Sequence, residues 1–264
     1  MSSAIFESAG EGLYRATEAA LSPWSDQSLH GGPPTMLLAR EVEFFPADQA
    51  MFVTRLTVEL LRPIGMTLLA VSSRLVRPGR KVQLVEASLW SGEQEVARMT
   101  ALRMRVGEVV VPVDDLPPPH APPELLPQWS GNWRPGGAYH LQGVEVRGPA
   151  QEGPEVGPGW AWFRMRLPLV EGEVPSGLLR ICAAADFPNG ISHVVDPRRT
   201  SFLNPDLTIH VHRLPVDEWV MVDARTWLAP QGSGVAEGAL YDRSGRIGRS
   251  AQSLLVEPRG ESKT

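Results

Sequence analysis

Apolar residues at Met36, Leu37, Leu38, Val42 and Phe45 recur at the three- and four-residue spacings of an amphipathic helix. His30-Gly31-Gly32-Pro33-Pro34 leads into it, with proline where a first helical turn tolerates it, and Pro46 ends it. The pattern then changes to runs rich in β-branched and aromatic residues: Phe52 to Leu61, Thr67 to Leu75, Val82 to Trp90 and Val96 to Val106. Pro63-Ile64-Gly65, Pro78-Gly79 and Ser91-Gly92 separate these runs, which predicts an antiparallel meander joined by tight turns. Before the helix, short apolar groups such as Leu13-Tyr14 predict one or two strands. A helix and a sheet that each carry an apolar face solve both exposures by packing together, so the sheet is expected to wrap the helix.

The same succession returns further on. Tyr139 to Val146 and Trp160 to Leu169 alternate as a hairpin. Pro175-Ser176-Gly177 precedes the apolar run Leu178 to Ala185, a short helix, and strands follow it. At a constant offset of 151 residues, Leu56 to Ala101 matches Leu207 to Gln252 without a gap. Eight pairs are identical: Leu56/Leu207, Thr57/Thr208, Arg62/Arg213, Val71/Val222, Arg74/Arg225, Glu86/Glu237, Leu89/Leu240 and Arg98/Arg249. About three would be expected by chance from residue frequencies. The chain reads as a duplicated α+β unit. Between Pro112 and Pro135 stand eight prolines with little periodicity, which predicts an extended, semi-rigid connector held down by Trp129 and Trp133. The expected units are 1–110, a linker 111–136, and 137–264.

Composition changes this picture little. With 264 residues, 42% of them hydrophobic, the chain can bury a sizeable core. A net charge of -5 gives no basic footprint for nucleic acid, although Arg77, Arg80 and Lys81 could meet an anionic ligand. Cys182 is the sole cysteine, so no internal disulfide can form, and its place among Ile181 and alanines suggests a core residue. No run of eighteen apolar residues and no export signal is found, so a protein of the cytoplasm that does not enter the membrane is expected.

Three positions carry candidate chemistry. Asp186 ends an otherwise apolar helix, where a carboxylate is either solvated or held against the core by partners. On Asn204 to Arg213, a period of two places Asn204, Asp206, Thr208, His210 and His212 on one face and Leu207, Ile209 and Val211 on the other. The first copy has Val53, Arg55, Thr57, Glu59 and Leu61 at those polar positions. Gln252, in an apolar closing strand, needs a partner, and its counterpart is Ala101.

Taken together, the duplicated helix-plus-meander, His30-Gly31-Gly32, Ala185-Asp186-Phe187 and the Gln252 strand resemble the acyl-CoA thioesterase II type of double hot dog protein, within the thioesterase-like superfamily. The resemblance covers nearly the whole chain. It implies two antiparallel sheets, each wrapped round a central helix and joined as a pseudo-dimer. It also implies hydrolysis of an acyl-CoA by a water held between an Asp at the second helix, a Thr or Ser on the next strand, and a Gln in the closing strand. Asp186 and Gln252 stand at two of those places. The hydroxyl position falls on Asn204, with Thr208 one strand repeat further along. His30, Gly31 and Gly32 would receive the substrate, no metal, nucleotide or redox cofactor would be needed, and further homo-oligomerisation is expected. Two other readings stand beside this one: a catalytically silent acyl-CoA- or lipid-binding member, and a metal-dependent hydrolase built on His210 and His212.

Overall fold

The computed structural model describes residues 2–23, 25–112, 116–129, 139–150, 156–196 and 199–259. In the first half, β1 (Phe6–Gly10) and β2 (Leu13–Ala16) precede α1 (Gly32–Glu43), and a meander comes after it: β3 (Met51–Leu60), β4 (Leu68–Arg77), β5 (Val82–Ser91) and β6 (Gln94–Arg105). Pro33 and Pro34 lie in the first turn of α1, where a missing N–H costs nothing, and Met36, Leu37, Leu38, Ala39 and Val42 are buried.

The second half runs β7 (Val144–Arg147), β8 (Gly159–Met165), α2 (Gly177–Ala185), α3 (Pro188–Ile191), β9 (Thr200–Leu203), β10 (Asp206–Val211), β11 (Val220–Leu228), β12 (Ser233–Asp242) and β13 (Gly245–Pro258). Ser176 caps α2 by accepting from the Leu179 N–H. α1 lies against β4, β5 and β6, α2 against β8 and β11, and the two helices pack on each other. Among the described residues all strands join one sheet, ordered β1-β2-β4-β5-β6-β3-β10-β13-β12-β11-β8-β7, with β9 beside β13. Every pairing between these strands is antiparallel. The two units meet edge to edge at β3 and β10.

The repeat extends to backbone register. Thr57 faces Thr100 and Glu86 faces Thr100 in the first half, while Thr208 and Glu237 both face Ala251, 151 residues on from Thr100. Val71↔Leu89 is repeated as Val222↔Leu240, and the register break after Leu89 returns after Leu240. At the seam Thr57 pairs with Thr208, its own counterpart, so the pseudo-twofold axis passes through that pair. On β10, Leu207, Ile209 and Val211 are buried toward the helices, and Thr208 and His210 lie on the other face.

One reading is corrected. Tyr139 to Val146 is not all strand: Tyr139–Gly143 forms a π-helical turn, and extended backbone begins at Val144. The turn buries the Tyr139 ring, whose hydroxyl donates to the Ala183 carbonyl at 3.1 Å, a tertiary contact that local alternation cannot foresee. Trp129 does hold the connector, its indole N–H donating to the Pro149 carbonyl at 2.9 Å, but Trp133 lies outside the described residues. Aromatics of the sheet hold the connector further upstream. Trp162 donates to the Ala121 carbonyl, and His120 stacks on Trp160 with ring centroids 4.1 Å apart. No described helix is long and apolar enough to cross a membrane.

Gly248 of β13 faces Val211 across the β10 seam, and a Cβ there would stand 2.1 Å from the His210 carbonyl oxygen. Backbone cannot yield as a side chain does. Gly248→Ala is expected to cost about 1–3 kcal/mol, seen by calorimetry as a fall of roughly 2–4 °C per kcal/mol. Gly107→Ala, where a Cβ meets nothing within 4 Å, should leave the melting temperature unchanged.

Candidate active site

α2 is apolar nearly all round, so it is buried along its length, and the chain leaves it at Asp186 because Pro188 comes two residues later. Asp186 is the C-cap residue and is 5% exposed. The end of its own helix is the wrong place for a carboxylate. What makes the burial tolerable is the antiparallel neighbour: the side chain points at the start of α1, the end of a helix that favours negative charge. A Cβ on Gly31 would lie 2.6 Å from Asp186 Oδ2, so only glycine allows this approach.

The carboxylate is fixed from three directions. Oδ1 accepts from Asn204 Nδ2 at 2.9 Å and from Gln252 Nε2 at 2.7 Å, and the same Gln252 nitrogen lies 3.3 Å from the Asp186 carbonyl oxygen. Oδ2 lies 3.1 Å from His30 Nδ1, which is 3.0 Å from the Gly32 amide nitrogen. Gln252 is 1% exposed and its Oε1 has no hydrogen-bond partner. Such a buried acceptor is suited to a water or a ligand donor.

Aromatic rings close the site. Phe187 stacks against Phe163 at 4.5 Å and His30 at 5.1 Å, and Tyr139 flanks His30 at 4.9 Å. Burial, followed by the neighbouring Asp186 and Cys182, holds the Tyr139 hydroxyl well above its usual pKa, so it remains a donor. Burial, and then His30, lowers His140 to about 4. A shallow, mostly apolar groove runs from Phe187 between Trp129, His140, Leu141, Val146, Phe163 and Ile191.

The structure brings together Asp186, Asn204, Gln252, His30, Gly31 and Gly32, but not Thr208. The period of two puts Asn204 on the face of Thr208, and the structure corrects this: the two lie on opposite sides of the sheet. Pro205 comes next in the chain, β10 begins only at Asp206, and the backbone turns Asn204 inward to the carboxylate. Thr208 Oγ1 instead meets Thr57 Oγ1 at 3.4 Å on the far side of the sheet. His210 stands between Arg55 and Arg249 on the adjacent strands. Burial, Arg249 and Arg55 together lower its pKa and oppose a bound cation. Among the described residues no group of three or more His, Cys, Asp or Glu could hold a metal ion. Cys182 is fully buried, and burial followed by Glu43 pushes its thiol far above the usual range, as suits a core residue. The aromatic wall and the His30–Asp186 contact escape sequence reasoning, although Phe187 directly after Asp186 is a local sign of the former.

Residues 113–256 match the family model of the acyl-CoA thioesterase C-terminal domain, and residues 20–104 match that of the N-terminal domain. The chain belongs to the acyl-CoA thioesterase family. It is a thioester hydrolase of the double hot dog fold. Among solved structures, an acyl-CoA thioesterase II from Mycobacterium marinum is 18% identical, with 98% of this chain and 97% of that chain covered and a TM-score of 0.66. A protein of unknown function with the hot dog fold from Alicyclobacillus acidocaldarius is 15% identical at a TM-score of 0.75, with 96% and 95% covered. The tesB protein of Mycobacterium avium subspecies paratuberculosis is 15% identical at 0.65, with 96% of each chain covered. No curated protein matches significantly by sequence.

Because Gly31 leaves no room beside Oδ2, Gly31→Ala is expected to push the Asp186 carboxylate off its amide donors. Thioester hydrolysis should fall by roughly a factor of ten to a hundred, the penalty of small misplacement. Thiol release, and the position of Asp186 in a crystal structure of the variant, check this.

Proposed function

We propose that this thioester hydrolase acts on acyl-CoA by direct attack of a water activated by Asp186, at one site per chain. The observation that carries the reading is the asymmetric satisfaction of a buried carboxylate. Oδ1 is held by the amides of Asn204 and Gln252, while Oδ2 faces the N-terminus of α1. A carboxylate fixed through one oxygen can take a proton through the other without losing its place. The unpartnered Gln252 Oε1 offers that water a second acceptor.

Water attacks the thioester carbon as its proton passes to Asp186. The carbonyl electrons move to oxygen, where N–H groups at the Gly31-Gly32 end of α1 can receive the charge. Return of that electron pair breaks the C–S bond, and the thiolate leaves with the proton. Asn204 supplies an N–H donor where the family resemblance expects a hydroxyl, so in this chain it orients the base. The acyl group would lie along the groove past Phe187, where aromatic and branched side chains suit an apolar one once they part to admit it. Val53 and Ala101, both buried, stand where a second site would need Asn204 and Gln252.

Thiol release from a panel of acyl-CoAs, with melting temperatures beside it, tests the reading. Asp186→Asn removes the charge with little change of shape and should lower kcat on the order of a hundredfold or more. Gln252→Ala should cost less, roughly tenfold, because the base survives. Thr208→Ala and Thr57→Ala, on the far face, should stay within about twofold of the unaltered protein. Full activity in folded Asp186→Asn would sink the mechanism.

A further inference from the structure

His30 Nδ1 has two neighbours but one in-plane position. The Gly32 N–H points at it from 3.0 Å, and Asp186 Oδ2 lies 3.1 Å away. With a lone pair, Nδ1 accepts from Gly32 and faces the carboxylate oxygen, an arrangement that is favourable only when a proton sits on Oδ2. With a proton, Nδ1 donates to Oδ2, and the Gly32 N–H loses its acceptor. The two contacts are therefore alternatives.

The choice matters because the residues after Gly32 offer no substitute donor. Pro33 and Pro34 have no N–H, and the Thr35 N–H is bonded to the Gly31 carbonyl at 3.2 Å. Donors in the first turn of α1 are thus few, and the partner that Gly32 takes decides how much of that helix end can bind an anion. His30 is held in place between the rings of Phe187 and Tyr139, with its side chain 13% exposed.

We infer that His30 is a positioning residue that couples the water-activating carboxylate to the backbone N–H of Gly32. A proton on Nδ1 fixes Asp186 and releases Gly32 to the substrate oxygen. The inference rests on the reading of Asp186 given above. As attack proceeds, the O–H bond of water breaks toward Asp186 Oδ2, the C–O bond forms and the carbonyl electron pair moves to oxygen. That proton rests on Oδ2, beside the Nδ1–H that donates to the other lone pair of the same oxygen across the 3.1 Å contact, as the oxyanion takes the Gly32 N–H. When the C–S bond breaks, the same proton leaves with the thiolate, restoring the starting state.

The proton on His30 can be located directly, without turnover, by two-bond hydrogen–nitrogen correlation in protein carrying ¹⁵N-imidazole. At neutral pH the unaltered protein should show Nδ1–H. Asp186→Asn should show Nε2–H, because Nδ1 then accepts from Gly32. An Nε2–H tautomer in both proteins would overturn the coupling and leave His30 a fixed cap on α1. In the assay, His30→Phe, which keeps the stacking, should lower kcat roughly tenfold or more with KM within about twofold, and His30→Asn, which restores an N–H toward Oδ2, should recover part of it. Unchanged kcat in folded His30→Phe would overturn the inference as well. If no acyl-CoA is hydrolysed by the unaltered protein, the mechanism of the preceding section falls, and the tautomers still decide what His30 does.

Discussion

Everything near the site follows from burying one carboxylate at the end of an apolar helix. Left alone, Asp186 would face the negative end of its own helix dipole inside a hydrophobic core, an arrangement that proteins do not sustain without partners. Two amide donors, an imidazole and the opposing start of α1 supply them. Each comes from a different part of the chain. Asn204 precedes β10, Gln252 lies in β13, and His30 and Gly31 belong to the first half. The antiparallel packing of α1 on α2 is thus a condition of the site.

Duplication provides that packing. With β3 and β10 paired through Thr57 and Thr208, the two sheets run on as one, and the helices are brought end against end on the inner side. A single unit would expose β3 as an edge and bury its helix only on its own sheet. The strands have kept their register over an offset of 151 residues, bulge included, while side chains on the inner face have diverged. Backbone geometry tolerates little change because Gly248 leaves no slack between β13 and β10. Side-chain chemistry is freer.

Periodicity revealed the elements because burial on one face is a local rule: β10 buries Leu207, Ile209 and Val211 as alternation requires. The 151-residue offset was legible for the same reason. Alternation failed where a residue stands just outside a strand. Asn204 and Thr208 share a parity, yet Pro205 lies between Asn204 and the strand, so they end on opposite sides of the sheet. Tyr139 fits a strand by alternation because its ring is apolar in either conformation, and only the Ala183 carbonyl selects the turn. The His30–Asp186 contact joins residues of different halves through helix packing, which spacing cannot encode.

The pseudo-twofold axis also generates a second helix junction, where α1 ends and α2 begins, and its contents differ from those of the first. Glu43 stands at the end of α1 much as Asp186 stands at the end of α2, but its Oε2 accepts from Ser176 Oγ at 2.6 Å. That same hydroxyl oxygen accepts the Leu179 N–H, so one side chain both caps α2 and occupies the carboxylate. Burial raises the Glu43 pKa, with the Ser176 hydrogen bond acting against it. Arg103, buried in β6, donates to the Val42 and Phe45 carbonyls and so ties down the end of α1. Here the helix start carries a side-chain cap and the carboxylate is spoken for. At the other junction Gly31 and Gly32 bring no side chain, Gln252 keeps an acceptor in reserve, and Asp186 keeps an oxygen turned toward the helix end. Two junctions equivalent by fold are therefore unequal by capping: at one a serine hydroxyl both caps the helix start and occupies the carboxylate, while at the other the imidazole of His30 stands between the Gly32 N–H and Asp186 Oδ2.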